Sequence, residues 1–238
     1  MKKIKISLAI SLFLNILLIG SSSYAVNKIG GVDFIKTKMQ ATPSPKKDAN
    51  YYFTKKSVFE QSNIQQPDKV FIGDSITDYG EFQEYFPDEV VLNRGIRNDV
   101  SKGVLDRVDE VVERNPKAAY LIIGVNDIRY DTDIQDFRKN VAAIMDAFDG
   151  TSTKLFIQSI LPVNNGLLGN EVSNEKVKEF NDVLQKIAYE NGIEYIDLHA
   201  HFEDESGQLK KRYTIDGLHL NGEGYTFWIE TLNQLNAT

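Results

Sequence analysis

The most informative absence is that of cysteine, since none of the 238 residues is one. A chain without cysteine forms no disulfide bond, offers no thiolate to a metal or a substrate, and carries no lipid on an N-terminal cysteine. The Gly-x-x-x-x-Gly-Lys pattern of a phosphate-binding loop is also missing. Basic residues are outnumbered, 27 against 34 acidic ones, so the net charge is −7. With this acidic balance and no basic stripe, nucleic acid is not expected as a partner.

The first 26 residues have the composition of an export signal or a membrane anchor. Three lysines precede an uncharged run of 21 residues: Lys2, Lys3 and Lys5 before residues 6–26. Ser23 and Ala25 are small residues at the −3 and −1 positions of a cleavage site. An uncharged run of this length is also sufficient to cross a bilayer once. We therefore expect a protein that is either secreted or anchored to the outer face of the cell membrane by its N-terminal segment.

The rest of the chain is predicted to contain a linker and one globular domain. Residues 27–50 include the stretch "ATPSPKK" and are typical of a linker. Residues 51–238 are sufficient for one sizeable hydrophobic core.

Apolar runs of strand length alternate with helical patterns along this domain. Five runs predict strands: "DKVFIG", "EVVLNRGI", "AAYLIIGVN", "KLFIQSILPV" and "IEYIDLH". Four stretches predict helices: "SKGVLDRVDEVVERNP", "DIQDFRKNVAAIMDAFDG", "NEKVKEFNDVLQKIAYENG" and "GEGYTFWIETLNQL". This alternation predicts an α/β fold in which a parallel sheet is covered by helices on both faces. Ligands bind such sheets at the carboxyl ends of the strands.

Ser75 lies at such a strand end, in "VFIGDSITDYG", and has two interpretations. Asp74, Ser75 and Thr77 are residues that cap the N-terminus of a helix, which needs no catalysis. Alternatively, Ser75 is a nucleophile, which requires a base and a group that orients the base. The chain has three histidines. His219 stands three residues after Asp216 in "DGLH", so Asp216 can accept from Nδ1 of His219 while Nε2 faces Ser75.

An acyl-transfer site also needs hydrogen-bond donors where negative charge develops on the carbonyl oxygen. Candidate donors are the backbone N–H groups of Ser75 and Gly95 and the side-chain amide of Asn126. Gly95 lets backbone approach a substrate closely, and Asn126 supplies a neutral donor that does not titrate.

In this order, the four blocks "GDSIT", "NRGI", "GVND" and "DGLH" resemble the SGNH or GDSL-type serine esterases and lipases. The resemblance runs from about residue 67 to the last helix. It implies Ser75 as nucleophile, His219 as base, Asp216 as its orienting acid, and Ser75, Gly95 and Asn126 as the oxyanion hole. It further implies a flavodoxin-like three-layer α/β/α fold with a five-stranded parallel sheet, and no metal or other cofactor. The Gly-x-Ser-x-Gly elbow of α/β-hydrolases is not met, because Thr77 occupies its last position.

Arg97 and Asn98 depart from the small residues that many similar proteins carry at these positions. Beside an oxyanion hole, they would bind an anionic or sugar-rich substrate, and we take them as candidate substrate-binding residues. The alternative is that Arg97 is a solvated loop cation.

Two other groups of residues have open interpretations. His199 and His201 alternate at a predicted strand end near Asp197, which suits either a metal site or a polar loop, and the loop is the simpler account. Leu167 and Leu168 lie in a loop rich in glycine and asparagine, where they line an acyl pocket, act as a lid, or pack onto the core.

The sequence therefore predicts an extracytoplasmic serine esterase, acting through an acyl-enzyme on carboxylic esters of a carbohydrate or lipid. Short acyl groups such as O-acetyl are favoured because no long hydrophobic insertion is present. Two alternatives remain: an acyltransferase acting on a cell-wall polymer, and an inactive cell-surface binding module.

Overall fold

In a computed structural model, the described residues are 49–235 and the isolated residue Asn15. The predicted leader, apart from Asn15, and the predicted linker, apart from its last two residues, lie outside this part of the chain. Residues 49–235 all belong to one compact unit. Within residues 49–235, no helix combines the length and the apolar character needed to cross a bilayer.

Five parallel strands form one sheet. They are β1 (Lys69–Gly73), β2 (Val91–Gly95), β3 (Ala118–Ile122), β4 (Lys154–Gln158) and β5 (Glu194–Ile196), in the order β2-β1-β3-β4-β5. The register places Gly73 beside Gly95 on one side and Ile122 on the other. The carboxyl ends of β2, β1 and β3 are therefore level, which brings the segments that follow them to one edge. The predicted five-stranded parallel sheet is confirmed.

The helices cover both faces of the sheet. They are α1 (Ala49–Gln61), α2 (Ser75–Asp78), α3 (Ser101–Leu105), α4 (Val108–Val112), α5 (Val125–Arg129), α6 (Ile134–Asp146), α7 (Asn165–Leu168), α8 (Asn174–Glu190), α9 (Leu198–Phe202) and α10 (Gly222–Gln234), with 3₁₀ turns at Phe82–Tyr85 and Lys211–Tyr213. On one face, Phe71, Tyr120 and Phe156 stack across three strands, and Trp228 of α10 packs edge-on against Phe71. The opposite face is equally buried, as Ile72 shows. Side chains alternate between the faces of a strand, so burial of both sets requires three layers.

The predicted helix from Ser101 to Pro116 is two short helices instead. Helix α3 ends at Leu105, and α4 begins at Val108. At the break, Arg107 leaves helical geometry, with φ −141° and ψ 5°. Its guanidinium contacts backbone carbonyl groups at the strand ends, and these tertiary bonds compete with the continuation of the helix.

The predicted strand "IEYIDLH" is also shorter than expected. Strand β5 ends at Ile196, and Asp197 caps the helix α9, in which both His199 and His201 lie. The expectation that these histidines alternate at a strand end was wrong. Two positions apart on a helix they point to different sides, and accordingly His199 is buried whereas His201 is exposed.

Candidate active site

Ser75 is the first residue of α2 and not its cap. Asp74 performs the capping, because its Oδ1 accepts the N–H of Ile76 at 2.9 Å. The Ser75 hydroxyl is thereby left for another partner, and its Oγ lies 3.0 Å from Nε2 of His219. Ser75 is 3 % exposed and follows β1 at the carboxyl edge of the sheet. The local sequence therefore separates two positions, with the helix cap at Asp74 and the hydroxyl that faces His219 one residue later.

His219 is oriented by the turn that precedes it. Oδ2 of Asp216 lies 2.6 Å from Nδ1 of His219, and Oδ1 of Asp216 accepts the backbone N–H groups of Leu218 and His219 at 2.9 and 2.8 Å. Gly217 has φ +90°, a conformation that glycine adopts without strain and that closes this turn. A carboxylate at Nδ1 favours the tautomer with the proton on that nitrogen. Nε2 is then an acceptor that faces the hydroxyl of Ser75.

The same bonds keep Asp216 ionised. Burial acts to raise the pKa of this carboxyl, but the hydrogen bonds from His219 and from the backbone of Leu218 and His219 outweigh it, so the pKa lies below its usual value. An ionised carboxylate at Nδ1 is what stabilises an imidazolium once Nε2 has accepted a proton.

Two of the three predicted oxyanion donors, Ser75 and Asn126, have an N–H group that can bind a substrate oxygen. The N–H of Ser75 lies in the first turn of α2, where helical N–H groups have no acceptor within the helix. The amide of Asn126 donates to the backbone oxygen of Asp99 at 3.0 Å, and a primary amide has a second N–H. Asn126 is buried in α5, directly after β3. Both groups belong to the carboxyl edge of the sheet.

The N–H of Gly95, the third predicted donor, is already bound to an acceptor within the protein. Its N–H donates to Oδ1 of Asn93 at 2.8 Å, and the Asn93 amide in turn donates to the backbone oxygens of Thr77 and Gly80, each at 2.7 Å. A Cβ at Gly95 would lie 2.1 Å from the backbone nitrogen of Asp78. Glycine is therefore required here by the close packing of β2 against α2, and its N–H must exchange partners to reach a ligand.

The sequence model of the GDSL-like lipase/acylhydrolase family matches residues 71–227, which is more than half of the chain and includes all of these residues. The chain belongs to this family. It is similar over 176 residues, at 23% identity, to the isoamyl acetate-hydrolyzing esterase of Saccharomyces cerevisiae, with 65% of this chain and 72% of the esterase aligned. The acylhydrolase is accordingly a hydrolytic enzyme, as the resemblance implied.

Solved structures share the fold of this chain. A protein from Streptococcus pneumoniae described as a platelet activating factor superposes with a TM-score of 0.70 at 30% identity, covering 80% of this chain and 92% of the Streptococcus protein. The acetyl xylan esterase AlAXEase superposes with a TM-score of 0.62 at 20% identity, covering 70% of this chain and 98% of the esterase. The second likeness concerns the fold alone.

Buried carboxyl groups lie directly behind the acylhydrolase site. Burial, with the neighbouring charges of Asp99 and Asp127, raises the pKa of Asp74 to about 7. Burial likewise raises the pKa of Asp127 to about 6, although Asp127 accepts both the N–H and the hydroxyl of Ser101, at 2.9 and 2.6 Å. The segments that hold Ser75 and Asn126 thus contain buried carboxyl groups whose surroundings disfavour their charged form.

The candidate substrate-binding residues Arg97 and Asn98 lie in the loop after β2, and both are half-buried. The guanidinium of Arg97 lies over the ring of Tyr51 in α1, 4.5 Å from its centroid. Tyr51 in turn donates to Oδ2 of Asp78 at 2.5 Å, at the end of α2. Asn98 has φ +61°, a left-handed conformation that asparagine tolerates. The view of Arg97 as a solvated cation does not fit this stacking, and its role toward substrate stays a prediction.

Sequence reasoning missed two residues that contact the site. Tyr79, the C-cap of α2, packs against the imidazole of His219 with ring centroids 5.0 Å apart and remains 45 % exposed. Tyr225 of α10 donates its hydroxyl to the backbone oxygen of Ile76 at 2.8 Å. An aromatic residue four positions after Ser75 was a sequence signal for Tyr79. The second is a contact across 149 residues, for which no local signal exists.

His199 lies away from these residues, beside a cavity of about 330 Å³ between α8 and α9. Its Nδ1 is 3.1 Å from the backbone oxygen of Ile160, and its Nε2 is 3.3 Å from Oε2 of Glu203. Among the described residues, no group of three potential metal ligands is found. His199 serves to join α9 to the segment after β4.

The two leucines of the loop after β4 behave differently from each other. Leu168 packs against the hydrophobic core, whereas Leu167 is exposed on α7. Gly217, in the turn that carries Asp216, approaches α7 so closely that an added Cβ would lie 3.1 Å from Cβ of Leu167. Leu167 is thus an apolar residue beside the turn that holds Asp216.

Proposed function

We propose that this acylhydrolase is a serine esterase that works through a covalent acyl-enzyme. Oγ of Ser75 attacks the ester carbonyl carbon while Nε2 of His219 takes the hydroxyl proton. The leaving alcohol departs with that proton. Water, deprotonated by His219, then attacks the acyl-serine, which yields the carboxylic acid and free Ser75. The observation that carries the proposal is the continuous chain from Ser75 Oγ through His219 to Asp216, with distances of 3.0 and 2.6 Å.

In this mechanism the negative charge on the carbonyl oxygen is stabilised by the N–H of Ser75 and the amide of Asn126. One such donor typically contributes about 3 kcal/mol to lowering the barrier. The N–H of Gly95 becomes a third donor when it exchanges Oδ1 of Asn93 for the substrate oxygen. This exchange costs little if a new charge-assisted bond replaces the neutral one.

The substrate we propose is a short-chain ester, O-acetyl or similar, of a carbohydrate or lipid. One relative supports acetyl groups by its name, the isoamyl acetate-hydrolyzing esterase. The exposed rim near His219 includes Tyr79, and an aromatic ring suits contact with a sugar face or an alcohol group.

We further propose that the enzyme acts outside the cytoplasm, secreted or anchored at the outer face of the membrane. The support is the N-terminal sequence alone, with Lys2, Lys3 and Lys5 before the uncharged run 6–26. Protease treatment of intact cells tests this location. Degradation of the chain without cell lysis is expected, and protection equal to that of a cytoplasmic marker would contradict it.

Hydrolysis of para-nitrophenyl acetate and of a long-chain homologue by the full chain tests the enzymatic proposal. Ser75→Ala should abolish turnover, whereas Ser206→Ala, at an exposed loop serine, should not. A higher rate with acetate than with the long chain is expected. Turnover by Ser75→Ala equal to that of wild type would refute the acyl-enzyme mechanism. A higher rate with the long-chain ester than with the acetate would refute the short-acyl substrate.

The same residues would serve an acyltransferase, in which a polymer hydroxyl replaces water. Adding an oligosaccharide acceptor to the assay and measuring acylated acceptor against free acid separates the two. Acid as the main product at high acceptor concentration is expected for an esterase. Negligible rates with all esters, in wild type as in Ser75→Ala, would instead favour the inactive binding module.

A further inference from the structure

Arg107 is a buried arginine at the break between α3 and α4, and its side chain reaches the carboxyl ends of two strands. Its Nη1 donates to the backbone oxygen of Arg94 at 2.8 Å, and its Nη2 donates to that of Gly73 at 3.1 Å. Its Nε donates to Oδ2 of Asp99 at 2.9 Å. Arg107 is 4 % exposed and Asp99 is 5 % exposed. One guanidinium therefore joins β1, β2 and the loop that follows β2.

Each of these three acceptors leads directly to a proposed oxyanion donor. Gly73 precedes Ser75 by two residues at the end of β1. Arg94 immediately precedes Gly95. The backbone oxygen of Asp99 accepts the amide of Asn126 at 3.0 Å.

We propose that Arg107 is the positioning residue of the oxyanion hole and sets the spacing between its three donors. This inference rests on the proposed function of Ser75. Donors to a developing oxyanion are effective only when they are held in place before the reaction, to within about 0.5 Å. The backbone oxygen of Gly73 also accepts the N–H of Ile96 at 3.0 Å. Arg107 adds the bonds that tie this strand end to the carbonyl group of Arg94 and to Asp99.

The chemistry of the side chain fits this role. A guanidinium is planar, always charged, and has five N–H groups in a rigid fork, so it binds several acceptors at fixed mutual angles. A lysine ammonium in the same place would keep the charge and lose the fork. Gly103 of α3 makes room for the arrangement, because a Cβ there would lie 1.8 Å from Oδ1 of Asp99.

A purely structural role is the alternative, and the chain provides a matched control for it. Arg114 is also 4 % exposed, and it donates to the backbone oxygens of Phe59 and Ser62, at 2.7 and 3.0 Å. It also pairs with Glu110 of α4. Its acceptors lie at the end of α1, in the segment after α1 and in α4. Glu110 also pairs with Arg94, but through the side chain of Arg94 and not through the carbonyl group that Arg107 binds.

The experiment compares Arg107→Lys with Arg114→Lys in the full chain. Urea unfolding measures the stability of each, and initial rates with para-nitrophenyl acetate measure kcat and KM separately. We expect Arg107→Lys to lower kcat by about 10- to 100-fold with KM within about twofold, short of the 10²–10³-fold typical for removal of a donor. Arg114→Lys should keep kcat within about twofold at a comparable loss of stability. The same split, large in kcat and small in KM, is expected from Asp99→Asn, which keeps an acceptor but weakens the charged pair.

Three outcomes would overturn the inference. These are equal kcat in the two lysine variants, a loss that appears in KM instead of kcat, and, should Arg107→Lys fail to fold, a wild-type kcat in Asp99→Asn. None of them resembles failure of the proposed function, which would appear as wild-type turnover by Ser75→Ala.

Discussion

Nε2 of His219 lies 3.0 Å from Oγ of Ser75, although 144 positions separate the two residues. The contact joins the first turn of α2 to the turn before α10, and each side is fixed by its own bonds. The hydroxyl of Thr214 donates to the backbone oxygen of His219 at 2.7 Å, which closes the turn. The hydroxyl of Tyr225 holds α10 to α2. The distance between the side chains of Ser75 and His219 is therefore a property of the packed domain.

Asp216→Asn should lower kcat strongly with little change in KM. The amide oxygen can keep the two backbone N–H groups, but an NH₂ group facing Nδ1 favours the tautomer in which Nε2 carries the proton. That tautomer cannot accept the proton of Ser75. A loss of about 10³- to 10⁴-fold in kcat is expected, measured with para-nitrophenyl acetate.

The control for this variant is Asp133→Asn. Asp133 is the N-cap of α6 and, like Asp216, its Oδ1 accepts a backbone N–H, that of Gln135 at 2.8 Å. It should retain full turnover. Similar rates in the two asparagine variants would count against an orienting role for Asp216.

Tyr79→Leu should lower kcat/KM by about two- to fivefold, and Tyr79→Phe should leave it nearly unchanged. The ring beside His219 stabilises the imidazolium that forms during acyl transfer, an effect worth about 0.5–1 kcal/mol at an exposed site. The phenylalanine variant keeps the ring and removes only the hydroxyl. A loss in Tyr79→Phe as large as that in Tyr79→Leu would assign the effect to the hydroxyl and not to the ring.

Asp74→Asn should change how stability depends on pH. Because burial raises the pKa of Asp74 to about 7, from 3.8, the native state retains a proton that the unfolded chain has lost between about pH 4 and pH 7. The free energy of unfolding contributed by this group is then complete at low pH and falls as pH rises through this window. Asparagine is an equally good N-cap and does not titrate.

Urea unfolding of wild type and Asp74→Asn at several pH values across this window measures the difference. The charges of Asp99 and Asp127 interact with that of Asp74, so the difference between the two proteins includes this interaction. The advantage of the asparagine variant should grow as pH rises. A constant difference between the two proteins across the window would contradict the raised pKa.

Gly95→Ala should destabilise the domain by about 1–3 kcal/mol, the typical effect of overpacking. The added Cβ would lie 2.1 Å from the backbone nitrogen of Asp78, where only a shift of β2 against α2 can relieve the clash. Gly222→Ala is the control, since no atom lies within 4 Å of its added Cβ. Urea midpoints that are equal in the two variants would contradict this packing.

Much of the fold and of the site follows from local patterns in the sequence. The apolar runs at the five strands and the level ends of β1, β2 and β3 correspond to the predicted parallel sheet. The residues Ser75, Asn126, Asp216 and His219 stand at strand ends or in a terminal loop, where their blocks were identified. Such patterns are readable because the strand period and the capping residues act over a few positions.

Tertiary contacts decided the rest. The helix predicted from Ser101 to Pro116 breaks because Arg107 bonds to strand ends that lie 13 and 34 positions earlier in the chain. The sequence signal for this break was a charged residue, Arg107, on the apolar face of the predicted helix between Val104 and Val111, which are both fully buried. The strand predicted to reach His199 stops at Ile196 because Asp197 caps a helix. The N–H of Gly95 faces Asn93, which no spacing rule indicated.

By itself, the sequence determined which residues carry reactive groups and which strands bring them to one edge. The tertiary structure decided how the groups are aimed: the capping by Asp74 that leaves the hydroxyl of Ser75 to His219, the contact of Tyr79, and the guanidinium of Arg107 behind the donors. The physical reason is the distance along the chain over which each interaction acts. Strand and helix periods are encoded by neighbours in the chain, whereas the direction of a buried polar group is set by acceptors that arrive from distant segments and must all be satisfied together.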